Sequence, residues 1–417
     1  MKHALFVAFH YPPEASSSGV LRTLKFTRYL ADFGWRVTVL TVARDAYEVS
    51  DPNLEAQIPD SVKVVRTHFL NSKRHLSLWG RYPAALAVPD TWIGWLPWAV
   101  SAGRRILRED APALIYSTSP HASAHLIAKV LARRSGLPWV SDFRDPWFEQ
   151  PAEPGTPAVV QWFAPRLEKR VIADSSRVIA STVELRNLLA GRYPNERPEK
   201  FVAILNGYDE ADFADLPLPG TLRGEKLSVV HAGAINAEFR DPRPLFRALR
   251  EAAKSGAVDA QRFHFRFVGA GEFGDSAEMR RCLEETGLTR QVDFTARLPY
   301  PEALELITQA SLLLLLQASP DTAGLVPAKL YEYLRAQKPI LALVTPGASD
   351  EVLKQTGGGW AVNPYDSGAL QNRLENVYRA WSEGRLTEVR ADLAKLRRFE
   401  RRHLTHALAD QFNLLVP

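Results

Sequence analysis

The segment DTAGLVPAKLYEYLRAQKPILAL, residues 321–343, holds side chains whose types and spacing suit anion binding. Pro327 fits a helix's first turn, and Pro339 halts that helix just before the next apolar run. A lysine in the first turn, Lys329, is disfavoured by the helix dipole unless an anion binds there. Gly324 and Leu325 could offer backbone N–H groups to a phosphate and Lys329 its charge. Glu332, one turn on, could give a carboxylate to the paired hydroxyls of a ribose. An ordinary exposed Lys–Glu helix pair is the alternative reading.

A second pattern is FHFRFVGAGEFGD, where Gly269, Gly271 and Gly274 spell G-x-G-x-x-G behind an apolar run. A dinucleotide fingerprint needs the helix to open inside the motif, so that its N–H groups meet the pyrophosphate. Here Asp275 followed by Glu278 reads as a capping box, which starts the helix after the third glycine. Glu272 would also repel a diphosphate in that loop. Asp293 stands near the position that holds a ribose in such motifs. A strand-to-loop turn in an α/β sheet is the favoured reading.

Other constellations carry less. His121 and His125 lie four apart and could share a zinc, but no third ligand is evident and no metal site is expected. Asp142 and Asp145 in SDFRDPW imitate a metal-binding pair with the wrong spacing, and Arg144 intervenes. A rim around an acceptor or an internal ion pair suits these three better. No G-x-S-x-G and no G-K-[ST] loop is found, which removes serine hydrolases and P-loop enzymes of those patterns.

These groups must be positioned by a long chain. Its 417 residues exceed one ordinary core and fit two domains. With 46% hydrophobic and 24% charged residues the composition is globular. The longest apolar run, Leu312 to Leu316, suits a buried strand and is far too short for a membrane span. No signal peptide is read at the start, so a cytoplasmic protein is expected. The single cysteine, Cys282, excludes an internal disulfide and a thiolate-rich metal site. A formal charge of +5 favours acidic partners such as nucleotide phosphates or anionic lipid. No nucleic-acid-binding signature is present, and nucleic acid is not an expected partner.

Short apolar runs alternate with helix-length segments throughout. ALFVAF, RVTVLTV, VKVVRTHF, ALIYST, PWVSDF, RVIAST and FVAILN predict strands in residues 1–207. A polar stretch rich in Pro and Gly over 208–226 reads as a linker. In 227–417 the alternation resumes with KLSVVHAG, FHFRFVGAG, VDFTAR, SLLLLLQ and PILALV. The expectation is an α/β protein of two Rossmann-like, doubly wound parallel-sheet domains facing across a cleft, with ligand at the carboxyl ends of the strands.

The segment GLVPAKLYEYLRAQKPILAL resembles the donor-nucleotide segment of glycosyltransferase family four, retaining enzymes of the two-domain GT-B architecture. The likeness extends along nearly all of the chain. HYPPEASSSGVLRTLKFTRYLADFGWRVTVLT resembles that family's opening strand, glycine loop and first helix. STSPHASAHLIAK and PWVSDFRDPW resemble its polysaccharide-assembly branch, and LNGYDEADF its crossover between domains. HAGAI, FVGAGEF and VDFTARLPYPEALELITQASLLLLL follow the order of its donor domain.

The resemblance implies an acceptor-binding first domain and a nucleotide-sugar-binding second, with the last helix crossing back to the first. It gives Glu332 the donor ribose, Gly324 and Leu325 the phosphate and sugar, and Gly19 with Arg22 a place under the diphosphate. His121 would lie near the transferred sugar and be kept neutral by its helix N-terminus. Arg297 would line the base. Asp321 stands where the family commonly has a glutamate. Ala234 replaces a diphosphate-gripping arginine, for which Arg240 or Arg243 could substitute only if the loop folds back.

The implied function is metal-independent transfer of a sugar from a nucleotide sugar to an acceptor glycan or lipid-linked sugar, with no cofactor. A nucleotide-sugar epimerase or hydrolase, or a two-lobed ligand-binding protein, fits the same architecture. One further stretch, residues 72–109, holds Trp79, Trp92, Trp95 and Trp98 among Lys73, Arg74, Arg81, Arg104, Arg105 and Arg108. It reads either as a peripheral membrane surface or as tryptophans packed inward at helical spacing.

Overall fold

The computed structural model describes residues 1–17, 19–77, 79, 82–148, 156–216, 224–319 and 322–416. Asp321 and Arg81 lie outside the described residues. The chain divides into two compact units, Met1–Asn206 with Arg401–Pro417, and Gly207–Glu400.

The first unit is built on seven strands, β1 (Lys2–Ala8), β2 (Trp35–Val42), β3 (Lys63–Thr67), β4 (Leu114–Thr118), β5 (Trp139–Phe143), β6 (Arg177–Ala180) and β7 (Phe201–Ala203). They are parallel, in the order β3-β2-β1-β4-β5-β6-β7. Register places Val39, Phe6, Tyr116 and Val140 in one row across the sheet. That row belongs to a core closed by Leu404, Leu408 and Phe412 of the last helix, Arg401–Leu415. Their neighbours Leu5, Val7, Leu40 and Ile115 face the opposite core. Because both faces are covered, the central strands read as continuous apolar runs.

The second unit has six parallel strands, β8 (Leu227–Ala232), β9 (Phe263–Val268), β10 (Val292–Thr295), β11 (Leu312–Gln317), β12 (Ile340–Val344) and β13 (Gly359–Val362). Their order is β10-β9-β8-β11-β12-β13. The buried run Leu312–Gln317 is central, between β8 and β12. Strand β13, from the glycine-rich GGGWAV, is one that sequence patterning missed.

In both sheets the strand order reverses beside the first strand, between β1 and β4 and between β8 and β11. Loops leaving such neighbours diverge to opposite faces and open a crevice at the carboxyl ends. Each unit therefore has one preferred place for a ligand.

Candidate functional sites in the two units

At the switch point of the second unit the helix Ala328–Arg335 follows β11, with Pro327 in extended conformation as its N-cap. Lys329 stands in its first turn. A Cβ added to Gly233, just past β8, would overlap the Lys329 ammonium, and Gly233 has φ +123. Only glycine combines that backbone with that approach. Burial beside Arg240 pushes the Lys329 ammonium down to about 7, against the opposing pull of Glu332.

The HAGAINAEFRDPR loop does fold back. Asn236 Oδ1 accepts from the backbone N–H of Phe239 at 3.0 Å and of Arg240 at 3.1 Å. The Phe239 carbonyl accepts from Ala318 N at 2.8 Å, which ties this loop to the one after β11. Arg240 is thereby brought to the vicinity of Lys329, its guanidinium 4.9 Å from the Phe239 ring. Arg243 is bound instead to Asp241 and Glu278. Neither Lys329 nor Arg240 has an ion-pair partner among the described residues. Below them His231 is buried, with Nδ1 donating to the Leu314 carbonyl at 2.9 Å. Burial, reinforced by Lys329, keeps its ring neutral.

Glu332, one turn after Lys329, accepts from the Tyr300 hydroxyl at 3.0 Å, and Asp212 lies 3.3 Å from the same hydroxyl. Tyr300 and Asp212 were not singled out from sequence. Leu325 is a correction: its N–H closes a turn onto the Thr322 carbonyl at 3.0 Å, so it is not presented to a phosphate in this conformation. Gly324 lies in the same turn. Arg297 is exposed in the loop after β10, with its Cα and Cβ 3.6 Å from a Cβ built on Gly269.

The G-x-G-x-x-G glycines have local work. Gly269 and Gly271 adopt φ +73 and +75, and a Cβ at Gly274 would press the Phe294 ring. The helix opens at Ala277, beyond the glycines, and its cap is Ser276, one residue later than the expected Asp275. Asp293 binds His264 at 2.7 Å.

In the first unit the switch point brings together His10 and Glu14 after β1 and His121 after β4. The His121 ring is held edge-on by Phe9 at 4.3 Å and stacked by His10 at 5.1 Å. Burial first, then the neighbouring His10 and Arg144, lower His121 to about 3, so it is neutral. The first turn of the helix that follows is capped by Asp90, which accepts from Ser123 N and Oγ, each at 2.8 Å. His121 makes no hydrogen bond among the described residues, leaving both ring nitrogens for a ligand. His10 Nδ1 pairs with Glu14 at 3.0 Å. His125 turns away: it is buried, 2.7 Å from Ser117 Oγ, and stacks on Phe143. Among the described residues no three His, Cys, Asp or Glu side chains are arranged to hold a metal ion.

Arg22 and Asp142 are corrections. Both are essentially sealed from solvent, at 1% and 0% exposure. Arg22 Nε and Nη2 bind the two Asp142 oxygens at 3.0 and 2.8 Å, and its other donors reach Ile204, Leu205 and Asn206. Tyr116 and Thr118 complete the Asp142 shell at 2.7 and 2.9 Å. A guanidinium has five N–H donors, so Arg22 has none left for a diphosphate, and Asp142 faces no acceptor. Arg144 and Asp145, in the loop after β5, are partly exposed, and the Arg144 guanidinium lies against Gly19.

The tryptophan stretch divides. Trp95 is fully buried, its indole N–H donating to Thr67 at 2.7 Å, and Trp92 packs on Phe9. Trp79 is fully exposed and Trp98 is 40% exposed. A further exposed pair, Trp162 and Phe163, was not singled out from sequence. Among the described residues no helix is long and apolar enough to cross a membrane.

No curated protein matches the chain. Among solved structures, HepE of Anabaena in complex with UDP has a TM-score of 0.70 at 17% identity, covering 100% of both chains. Sucrose-phosphate synthase from Thermosynechococcus elongatus has a TM-score of 0.65 at 16% identity, over 100% of this chain and 99% of that one. WaaG, a glycosyltransferase involved in lipopolysaccharide biosynthesis, has a TM-score of 0.62 at 12% identity, over 99% of both. At these identities they share the fold, the two Rossmann-like units of GT-B proteins. Residues 19–207 match the profile of the glycosyl transferase 4-like domain, and residues 223–395 that of glycosyl transferases group 1. With both domains matched in order over most of its length, the chain belongs to the family-four type of glycosyltransferases.

Proposed function

We propose that the protein moves a sugar, with retention of configuration and without a required metal, from a nucleotide-diphosphate sugar to a glycan or lipid-linked acceptor. The supporting observation is the pair of unpartnered cations, Lys329 and Arg240, beside the carboxylate of Glu332 at the second unit's switch point. Glu332 holds the ribose hydroxyls and the cations hold the diphosphate. As the acceptor oxygen bonds to the anomeric carbon, the bond from that carbon to the diphosphate breaks, and the cations stabilise the charge gathering on the leaving group. The acceptor proton goes to the departing phosphate or to solvent. From the first unit the neutral His121 donates or accepts a hydrogen bond at the transferred sugar. HepE, a protein of the same fold, was solved with UDP, which supports a uridine nucleotide as the first to test.

Replacing Glu332 with Ala removes charged hydrogen bonds worth about 1.5–3 kcal/mol each, so UDP affinity measured by calorimetry falls at least ~10-fold. Unchanged affinity in a folded variant refutes the assignment. The finer proposal, a lipid-linked acceptor met at the cytoplasmic face of an anionic membrane, draws support from Trp79 and Trp98 with Lys73, Arg104, Arg105 and Arg108, all exposed. Cosedimentation with anionic but not neutral vesicles at low salt is expected. Absence of binding to anionic vesicles leaves a soluble acceptor.

A further inference from the structure

Part of the stretch that reads as a linker is built into the second unit. Asp209 caps the one-turn helix Glu210–Phe213, its carboxylate accepting from Ala211 N at 3.1 Å. Phe213 is buried, and the Arg335 guanidinium lies over its ring at 5.0 Å while Nε donates to Glu210 at 2.7 Å. Arg335 and Glu332 are three residues apart and therefore neighbours on one face of helix Ala328–Arg335. The clamp brings Asp212 to the side of Glu332. From a third direction, Tyr300 opens the helix Tyr300–Gln309 with its backbone held between Pro299 and Pro301. Its hydroxyl lies 3.0 Å from Glu332 Oε1 and 3.3 Å from Asp212 Oδ2. A phenol has one proton, so it donates to one carboxylate at a time, and the shorter contact takes it. A carboxylate has about four lone-pair positions, so the one that Tyr300 occupies leaves roughly three for the paired hydroxyls of a ribose.

We propose that Tyr300 is a positioning residue that fixes the orientation of the Glu332 carboxylate toward the ribose, with Asp212 competing for the same proton. The role rests on Glu332 being the ribose ligand. A glutamate side chain left alone on a helix surface rotates among several rotamers, and holding one of them before the nucleotide arrives lowers the cost of binding. Tyr300 thereby sharpens selection for a ribose with both hydroxyls without touching the nucleotide itself.

UDP and 2′,3′-dideoxyuridine diphosphate, which lacks both hydroxyls, are titrated calorimetrically into full-length wild type and Tyr300→Phe. Wild type is expected to favour UDP at least ~10-fold, because Glu332 forms no charged hydrogen bonds to the dideoxy nucleotide. Tyr300→Phe should weaken UDP at least ~5-fold and the dideoxy nucleotide less than ~2-fold, within the range by which contacting groups couple. A substitution that merely loosens the site weakens both nucleotides alike, and that result overturns the proposal, as does a UDP affinity that is unchanged or increased. In a Glu332→Ala background Tyr300→Phe should change UDP affinity less than ~2-fold, and a full effect there shows that Tyr300 does not act through Glu332. Asp212→Asn, whose amide can donate to the phenol oxygen, commits the proton to Glu332 and should keep or raise the preference for UDP; a lost preference overturns the competing role of Asp212. A wild type that binds both nucleotides equally, or neither, refutes the ribose reading and this role with it. A wild-type preference for UDP that survives Tyr300→Phe intact refutes this role alone.

Discussion

Lys329 makes nucleotide binding depend on pH in a direction fixed by its surroundings. In the free protein its ammonium titrates at about 7 because burial and Arg240 disfavour the charge. A bound diphosphate supplies the missing counter-charge and raises that value toward and beyond the ordinary lysine value of 10.5. The complex then holds more protons than the free protein across the window between the two values, so affinity falls as pH rises through it. At pH 7 half of the free molecules carry the charge, and at pH 9 roughly one in a hundred. The apparent affinity for UDP should therefore drop by about 50-fold between pH 7 and pH 9, or roughly 2 kcal/mol at 1.36 per tenfold. The ligand contributes little of this, since a terminal phosphate with a second ionisation near pH ~6 is already fully charged above neutrality.

Calorimetry in two buffers of different ionisation enthalpy measures both the affinity and the protons taken up, expected at about half a proton per site at pH 7 and nearly one at pH 8.5. Lys329→Arg, whose guanidinium stays charged, should flatten the pH dependence, and Lys329→Met should bind weakly at every pH. A wild-type affinity that changes less than ~3-fold over the window, or a slope that persists in Lys329→Arg, refutes the argument.

Two further outcomes are expected. His121→Ala should lower kcat while leaving UDP affinity within ~2-fold, and the wild-type kcat should show no inflection from this residue between pH 5 and 8, because its ring titrates at about 3; loss of nucleotide affinity in parallel with kcat would contradict this. Asp142→Asn leaves the buried Arg22 guanidinium without its counter-charge, and urea denaturation should show a loss of about 3–5 kcal/mol; a loss below ~1 kcal/mol would mean the pair is not the internal tie that its geometry indicates.

The two parallel sheets were legible because strands covered on both faces become apolar runs that nothing else explains. Strand β13 was not, since Gly358 and Gly359 leave no side chains to pattern and the pairing is carried by backbone bonds to β12. The tryptophan stretch misled for a different reason. Trp92, Trp95 and Trp98 have helical spacing, but the α-helix begins only at Leu96, after a 3₁₀ turn over Ile93–Trp95. The change of helix type between them breaks the common face that their spacing suggests. In the donor segment Lys329 and Glu332 were readable as one helix face, while Tyr300 reaches Glu332, and Asp212 reaches Tyr300, from distant segments that no local pattern connects.

The two arginines beside Asp142 show what sequence position leaves open. Arg22 is one turn before the buried Phe26, and Asp142 is two residues after the buried Val140, so periodicity alone puts both on faces turned inward. Inward-facing charges persist only in pairs, so Arg22 and Asp142, 120 residues apart, form an internal tie where motif likeness suggests a diphosphate ligand. Arg144 is two residues further along the same strand-to-loop path and carries the same group. Its hydrogen-bond capacity is unspent where that of Arg22 is full. Proximity to a glycine loop does not separate the two, since both lie near Gly19. What separates them is whether the fold itself supplies acceptors: it does for Arg22, through Asp142 and three backbone or amide oxygens, and does not for Arg144 Nε.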